Sequence, residues 1–196
     1  MDDVDLAIRA KQGDIDAYET LMRRHQNVAQ RAAYLVTGDP AEAEDAVQEA
    51  FVKAFYALES FEDGRPFKPW LLRIVTNEAH SRRRSVVRHA RLTLRAQENM
   101  TIQTMPSPES RFLASERSDT LIRELNKLPE IDRLMISYRY FLDLTPSEMA
   151  ETFGKPPGTI RSRLFRALAR LRAGLENSAE QQPCLSPDGL KGTFHG

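Results

Sequence analysis

Residues 39–84 read DPAEAEDAVQEAFVKAFYALESFEDGRPFKPWLLRIVTNEAHSRRR, and this stretch decides the fold of the 196-residue chain. Asp39 offers a side-chain acceptor for a helix start, and Pro40 follows at the first helical position, where a missing N–H costs nothing. The helix that begins there is expected to reach about Leu58. Apolar residues recur along it at the spacing of a core-facing side. They are Val47, Ala50, Phe51, Ala54 and Leu58.

The opposite side of this helix combines acids and an amide with two apolar side chains. Its residues are Asp45, Gln48, Glu49, Val52 and Tyr56. A solvated face rarely carries a valine and a tyrosine among its acids, so this side is a candidate surface for another protein. An exposed helix face with two stray apolar residues explains the pattern about equally well. The residues alone leave both interpretations open.

An aromatic turn over residues 61–70 connects this helix to a basic one. The turn is rich in Gly and Pro and contains the rings of Phe61, Phe67 and Trp70. The next helix starts at Pro69. Its polar side presents Arg73, Thr76, Asn77, His80 and Arg84. Cations for phosphates, rings for stacking and an amide for a base edge are what unpaired bases require.

Charge is segregated along the chain, although the total of 28 basic and 28 acidic side chains is balanced. Residues 39–63 contain eight acids and one lysine, whereas residues 65–95 contain nine bases and one acid. Such segregation indicates one surface for a basic protein partner and another for phosphates. Solvated charge runs are the commoner explanation of any single cluster.

A second helical unit follows residues 96–112, which show no sustained apolar period and are predicted to be a flexible linker. In this unit Thr145 to Glu148 form a capping-box pattern with proline at the first helical position. A turn at residues 155–158 then leads into a long basic helix. A short helix, a tight turn and a longer basic helix are the spacing of a helix-turn-helix, whose second helix reads the major groove.

The last helix has an apolar side that runs from Ile160 to Leu175 and a polar side that is rich in arginine. The polar side consists of Thr159, Ser162, Arg163, Arg166 and Arg170. Residues near the helix start are placed for base edges, and Arg170, further along, for a phosphate. The alternative is that these arginines only solvate the helix or pair with Glu148 and Glu151.

Other classes of protein are disfavoured by what the chain contains. Cys184 is the single cysteine, so an internal disulfide and a cysteine-rich zinc site are excluded. The four histidines form no metal-binding pair, and no glycine-rich phosphate loop is present. No apolar run approaches the roughly 18 residues of a membrane span, and the acidic start is unlike a signal peptide. We therefore expect a cytoplasmic protein that is not an enzyme, without cofactor, metal or membrane insertion.

The stretch around residues 39–84 resembles the second conserved region of bacterial RNA polymerase sigma factors of the extracytoplasmic-function (ECF) type. The resemblance lies in DAVQEAFVKA at residues 45–54, in Phe67, in Trp70-Leu71, in Arg73-Ile74 and in Asn77, and it spans about residues 14–84. It implies that the acidic helix docks on the clamp helices of the largest polymerase subunit. The residues so implied are Asp45, Gln48 and Glu49, with Val52 and Tyr56 on the same face.

The same resemblance implies that the aromatic turn and the next helix capture a base flipped out of the promoter's minus-ten element. Phe61 and Asn77 are the residues implied for the flipped base. The remaining minus-ten candidates on this turn and helix are Phe67, Trp70, Arg73, Thr76, His80 and Arg84.

The helix-turn-helix unit resembles the fourth conserved region of the same family. The matching residues include LPE at residues 128–130 and GTIRSRL at residues 158–164. The resemblance implies that the last helix binds the minus-thirty-five element through Thr159, Arg161, Ser162, Arg163, Arg166 and Arg170. Departures from the family pattern at Thr145-Pro146 and Ser81 leave the fold alone but make the promoter preference unpredictable.

These observations predict an all-α protein with two small helical domains joined by a flexible linker. The first domain is expected over residues 1–95, the linker over 96–112, the second domain over 113–175 and a disordered tail over 176–196. The resemblance implies a sigma factor that binds core RNA polymerase, directs it to promoter DNA in a stress response, helps to melt that DNA, and is held by an anti-sigma factor. A stand-alone helix-turn-helix regulator is the alternative, but it leaves the acidic face and the aromatic turn without a role.

Overall fold

The computed structural model describes residues 2–94 and 116–180, and every regular element in these ranges is helical. A 3-10 turn, Leu58–Ser60, follows α3. The α-helices are α1 (Asp3–Lys11), α2 (Ile15–Thr37), α3 (Pro40–Ala57), α4 (Phe67–Leu94), α5 (Glu116–Lys127), α6 (Glu130–Tyr140), α7 (Pro146–Phe153) and α8 (Pro157–Glu180). The prediction of an all-α fold is therefore confirmed.

The start of α3 is set by local chemistry, as predicted. The Asp39 side chain accepts a hydrogen bond from the Glu42 N–H at 3.0 Å, and Pro40 occupies the first turn. Directly before it, α2 ends at Gly38, whose backbone is left-handed with φ 73°. A residue without a Cβ adopts that conformation at no steric cost, so the chain reverses direction between α2 and α3 within a short turn.

The core of the first domain is formed where α2, α3 and α4 pack on one another, and α1 packs mainly on α2. Its large side chains include Leu21, Leu71, Leu72 and Val75, all fully buried. Between them lie seven alanines that are also fully buried, and such small side chains let helix axes approach closely. The alanines are Ala29, Ala32, Ala33, Ala43, Ala46, Ala50 and Ala54.

The second domain consists of α5 to α8 around a core that includes Leu134, Met149 and Ile160. The predicted capping box at the start of α7 is present. The Thr145 hydroxyl accepts from the Glu148 N–H at 3.2 Å, and the Glu148 carboxylate accepts from the Thr145 N–H at 2.7 Å. The backbone N–H groups of Thr145 and Glu148, which have no partner within the helix, are thereby hydrogen-bonded.

The last helix extends further than predicted, because α8 runs to Glu180 instead of ending at Leu175. Its extra turn is held by the Ser178 hydroxyl, which donates to the Glu124 carboxylate on α5 at 2.8 Å. This hydrogen bond ties the extra turn, which has few large apolar residues of its own, to α5. The predicted linker, residues 96–112, and Cys184 lie outside the described residues.

The two domains pack against each other where α7 contacts α4 and α6 contacts α2. Tyr138 on α6 is fully buried there, and its hydroxyl lies 2.9 Å from the Thr76 hydroxyl and 3.3 Å from the Ala32 carbonyl. Burial raises the pKa of the Tyr138 phenol well above its ordinary value, so the phenol is neutral. The Lys68 ammonium adds a hydrogen bond to the Leu142 carbonyl at 3.0 Å.

We expect Tyr138→Phe to weaken this contact between the domains. The substitution keeps the ring but removes the buried hydroxyl that bonds to Thr76, which costs about 1–2 kcal/mol. Urea unfolding measures the loss. Tyr140→Phe is the matched control, since Tyr140 lies two residues away and is exposed. Equal unfolding midpoints for the two variants would contradict the assigned role of the Tyr138 hydroxyl.

Candidate protein and nucleic-acid interfaces

The acidic part of the exposed α3 face is as predicted, with Asp45, Gln48 and Glu49 all exposed. Asp45 is not free, because Arg82 of α4 approaches its carboxylate to 2.5 Å and also contacts Glu42 at 3.1 Å. These pairs are partly exposed, so each contributes little to stability and exchanges readily with other partners. The face therefore carries less net negative charge than its acids alone indicate.

The apolar part of the same face continues towards the end of α3. Val52 and Tyr56 are 53% and 79% exposed, as predicted, and Phe55 beside them is 46% exposed. Sequence analysis missed Phe55. Its position was detectable, because residue 55 follows Val52 by three residues and so lies on the same helical face.

A groove of about 610 Å³ runs between this apolar face and α2. Tyr18 and Met22 line its far wall. The Tyr18 hydroxyl donates to the Phe51 carbonyl at 2.5 Å, and its ring meets that of Phe55 edge-on, with centroids 5.1 Å apart. Burial raises the pKa of Tyr18 to about 12, so at neutral pH the phenol stays a neutral donor. These contacts within the protein fix the side chains that line the groove, so the groove exists without a bound partner.

The aromatic turn differs from the expectation, because two of its three rings are in the core. Phe61 and Phe67 are 2% and 1% exposed, and their centroids lie 5.5 Å apart. Trp70, half-buried, packs on both of them, and Lys11 anchors the turn by donating to the Phe61 carbonyl at 2.9 Å. In this arrangement neither phenylalanine offers a free ring face, so the assignment of Phe61 and Phe67 as stacking platforms for a base is corrected.

The polar side of α4 is divided into exposed and covered residues. Arg73, Asn77 and Arg84 are exposed, as expected for a surface that meets nucleic acid. Thr76 is only 3% exposed, because its hydroxyl donates to the Leu72 carbonyl at 2.6 Å and meets Tyr138. It is therefore corrected from an exposed candidate to a residue of the domain contact.

His80 lies at the edge of that contact and is half-buried. Its Nδ1 atom is 3.9 Å from the Glu130 carboxylate, to which Arg83 is also bonded. Burial lowers the pKa of the imidazole, and the nearby Glu130 charge opposes that shift. Neutral His80 thus occupies the boundary between exposed and covered residues on α4.

The helix-turn-helix is present, with α7 as its first helix and α8 as its second. Gly154 ends α7 in a left-handed conformation with φ 61°, which makes the tight turn possible. Near the start of α8, Thr159, Arg161, Ser162 and Arg166 are exposed. The Arg166 side chain donates to the Ser162 carbonyl of its own helix at 3.2 Å. These four residues keep the surface position that the sequence predicted.

Arg163 and Arg170 have an arrangement that sequence analysis did not predict. Both bind the carboxylate of Asp132 on α6, which is only 1% exposed. The Arg163 Nε atom lies 2.7 Å from Oδ1, and Arg170 bonds to Oδ2. The alternative partners considered from sequence, Glu148 and Glu151, do not make this contact. Asp132 was missed because its partners lie more than thirty residues away.

Phe165 is a second feature of α8 that the sequence interpretation missed. Its ring is 74% exposed, although the neighbouring Leu164 and Leu168 face the core. Its exposure was predictable from the sequence, because residue 165 lies outside the apolar stripe formed by Ile160, Leu164 and Leu171. An exposed ring among exposed arginines adds an apolar contact to an otherwise cationic face.

Within residues 2–94 and 116–180, no group of three or more His, Cys, Asp or Glu side chains is arranged to hold a metal ion. In the same ranges no helix combines the length and the apolar character that a membrane crossing needs.

Family models match both halves of the chain. The model of Sigma-70 region 2 matches residues 21–89, which span most of α2, all of α3 and most of α4. The model of Sigma-70 region 4 matches residues 118–171, from α5 into α8. The two matches occur in the order, and on the helices, that the sequence resemblance indicated.

Curated relatives agree along nearly their full length. The ECF RNA polymerase sigma-E factor of Escherichia coli strain K12 is 33% identical over 184 residues, covering 89% of this chain and 93% of the relative. The ECF RNA polymerase sigma factor SigW of Bacillus subtilis strain 168 is 29% identical over 176 residues, covering 86% and 94%.

Solved structures extend the similarity to three dimensions. CnrH, solved in complex with the cytosolic domain of CnrY, has a TM-score of 0.64 at 28% identity and covers 89% of this chain and 97% of that one. The sigma factor RpoE of Bartonella quintana, solved with the anti-sigma factor NepR, has a TM-score of 0.62 at 25% identity, covering 81% and 96%.

The alternative of a stand-alone helix-turn-helix regulator does not account for the region 2 match, for α3 and its exposed face, or for relatives that align over both domains. The chain therefore belongs to the ECF family of RNA polymerase sigma factors, the proteins that direct RNA polymerase to promoters.

Proposed function

We propose that three helices have separate roles in transcription initiation. Helix α3 binds core RNA polymerase, α4 contacts the minus-ten element and α8 reads the minus-thirty-five element. The observation that carries the proposal is the contrast between their exposed faces. The face of α3 is acidic and then apolar, whereas those of α4 and α8 are cationic and polar. A protein partner and DNA need these different chemistries.

The polymerase-binding face combines Asp45, Gln48 and Glu49 with the apolar patch of Val52, Phe55 and Tyr56. Such a patch beside a preformed groove supports an interface with an apolar centre and a charged rim. A few apolar side chains of the partner would enter the groove, and the acids would pair with basic side chains of the partner. The Arg82 pairs do not block docking, because partly exposed ion pairs exchange partners at low cost.

The minus-ten surface consists of the exposed residues Arg73, Asn77 and Arg84, with His80 and Trp70 at its edges. Guanidinium groups hold phosphates, and the Asn77 amide offers both a donor and an acceptor to a base edge. Thr76 becomes available to DNA only when the second domain moves away from α4. We therefore propose that the domains separate when the protein engages the minus-ten element.

The minus-thirty-five surface is the start of α8, with Thr159, Arg161, Ser162 and Arg166. These residues occupy the part of a recognition helix that reaches base edges in the major groove. The surface lies outside the contact between the domains, which involves α6 and α7. It is therefore accessible before the domains separate.

The remaining expectations follow from this division. We propose a first functional domain over residues 1–95 and a second over 113–180, which extends the predicted limit of 175 to the observed end of α8. The protein is proposed to act in the cytoplasm with the polymerase and to have no catalytic activity of its own. Because a structural neighbour was solved with an anti-sigma factor, a partner of that kind is proposed for this chain.

Reconstituted transcription tests the proposal as a whole. The full chain and purified core polymerase are supplied with genomic fragments, and transcript ends are mapped. Specific initiation that depends on the chain is the expected result. A chain that binds DNA fragments but never supports initiation with core polymerase would overturn the proposal in favour of a stand-alone regulator.

Val52→Arg is expected to weaken binding to core polymerase by about 2 kcal/mol, roughly thirtyfold, because it places a charge in the proposed apolar anchor. This variant is cleaner than a charge reversal at Asp45, which would also break the Arg82 pair. Val86→Arg is the control, since Val86 is a similarly exposed valine on α4, outside the groove. The affinity of each variant for immobilised polymerase is measured, and equal affinities would remove α3 from the interface.

Asn77→Ala is expected to reduce promoter opening without unfolding the protein, because substitutions of exposed side chains change stability by only about 0.5 kcal/mol. Phe61→Ala is the contrasting variant, which we expect to cost about 3–5 kcal/mol of stability through loss of a buried ring. Permanganate reactivity of unpaired thymines measures opening, and thermal unfolding measures stability. A normal bubble with Asn77→Ala would exclude the amide from the proposed surface.

Arg166→Ala is expected to relax the base preference at one position of the minus-thirty-five element, at a cost of about 1–3 kcal/mol for the preferred base. Arg172→Ala removes the same charge further along α8 and is expected to weaken all sequences alike. Binding to a panel of single-base variants of the element separates the two effects. An unchanged ranking with Arg166→Ala would contradict base reading by this residue.

A further inference from the structure

Asp132 is the most buried acid that bonds to the DNA-facing helix. It lies in the first turn of α6, where its backbone N–H donates to the Pro129 carbonyl at 2.9 Å, and its side chain is 1% exposed. Each carboxylate oxygen bonds to a different arginine, Oδ1 to Arg163 and Oδ2 to Arg170. The two arginines are seven residues apart, so they lie on the same side of α8.

The two arginines remain partly in solvent, with side chains 40% and 51% exposed. One nitrogen of each guanidinium group is nevertheless bonded to Asp132 on α6. A buried carboxylate is costly unless it is paired, so Asp132 binds both groups firmly. One negative charge thereby holds two positive charges away from the exposed polar face of α8.

The other arginines of α8 are not held in this way. Within the described residues, Arg161, Arg166 and Arg172 are exposed and make no ion pair. The five arginines of α8 thus fall into two classes, three directed to solvent and two directed to Asp132. Sequence alone does not separate these classes, because all five lie on one basic helix.

The consequence for DNA binding follows from what each kind of contact contributes. An arginine that reaches a phosphate adds affinity for every sequence, whereas only contacts to base edges discriminate between sequences. Two additional free guanidinium groups at the edge of the reading face would therefore raise non-specific binding and lower the ratio of specific to non-specific affinity.

We propose that Asp132 is a specificity-determining residue of this sigma factor, which holds Arg163 and Arg170 against α6 and so limits sequence-independent binding by α8. It acts through the two arginines and does not itself touch DNA. The proposal rests on the proposed function of α8 as the reader of the minus-thirty-five element. It also changes the expectation for Arg170. Asp132 keeps this arginine away from the DNA, so Arg170 is no longer expected to contact a phosphate.

The experiment compares the full chain with Asp132→Asn for binding to two DNA duplexes of about 20 base pairs. One duplex has mixed sequence, and the other is selected from a randomised library by the wild-type chain. Affinities are measured at several salt concentrations. Glu151→Gln is the control, because it removes one negative charge from α7 and contacts neither arginine.

We expect Asp132→Asn to bind the mixed-sequence duplex more tightly and to steepen the dependence of log affinity on log salt by up to about two units, roughly 0.9 for each new phosphate contact. The preference for the selected duplex should fall, and Glu151→Gln should change neither quantity. Adding Arg163→Ala and Arg170→Ala to Asp132→Asn should restore the wild-type salt slope. An unchanged slope in folded Asp132→Asn would overturn the proposal.

Arg170→Gln in the otherwise wild-type chain provides a test that does not require substitution of the buried acid. A withheld arginine makes no phosphate contact, so the salt slope should stay at the wild-type value. A slope that flattens by about 0.9 would mean that Arg170 already contacts a phosphate, and would overturn the proposal.

Failure of the proposed function gives a different pattern. A wild-type chain that selects no sequence, together with an unchanged ranking for Arg166→Ala, would remove α8 as a reader of bases, and this inference with it. A wild-type chain that selects a sequence, together with a salt slope that Asp132→Asn leaves unchanged, removes only the role of Asp132.

Discussion

Helix α4 is buried on two sides, and this burial determines both how the helices are arranged and which polar residues face solvent. Its apolar residues Leu71, Leu72, Val75 and Ala79 are all fully buried, and the helix packs on α2 and α3 in one domain and on α7 in the other. A helix buried on two sides has only a narrow strip left for solvent. Arg73, Asn77 and Arg84 occupy that strip, so the same packing that builds the fold also selects which polar residues are presented.

Pairing within the protein reduces the charge that the sequence places on each surface. The excess of bases over residues 65–95 indicated a surface for phosphates. In the structure Arg82 is bonded to Glu42 and Asp45, and Arg83 is bonded to Glu130. On α8 the same effect is stronger, because the partner there is a buried acid. The charge available to DNA is therefore set by tertiary contacts as much as by composition.

Local chemistry explains which parts of the structure were predictable from sequence. The caps at Asp39 and Thr145, the two stripes of α3 and the helix-turn-helix spacing each depend on residues within a few positions of one another, and all are present. The burial of Phe61 and Phe67, the two bonds of Asp132 and the longer α8 depend on residues distant in the chain. No periodicity encodes such contacts, so exposure was predictable from sequence only for residues that no tertiary partner covers.

The contact between the domains and the proposed minus-ten surface share α4, so the proposed function couples the two halves of the chain. The Thr76 hydroxyl has one proton, which it donates to the Leu72 carbonyl, and its remaining capacity is used by Tyr138. A base or phosphate at Thr76 would have to replace the phenol, and Tyr138 is fully buried only while α6 lies on α4 and α2. Under the proposed function, engagement of DNA at Thr76 would therefore uncover the Tyr138 ring. That cost must be offset by contacts with DNA or the polymerase, which makes the arrangement of the domains a part of the energetics of promoter binding.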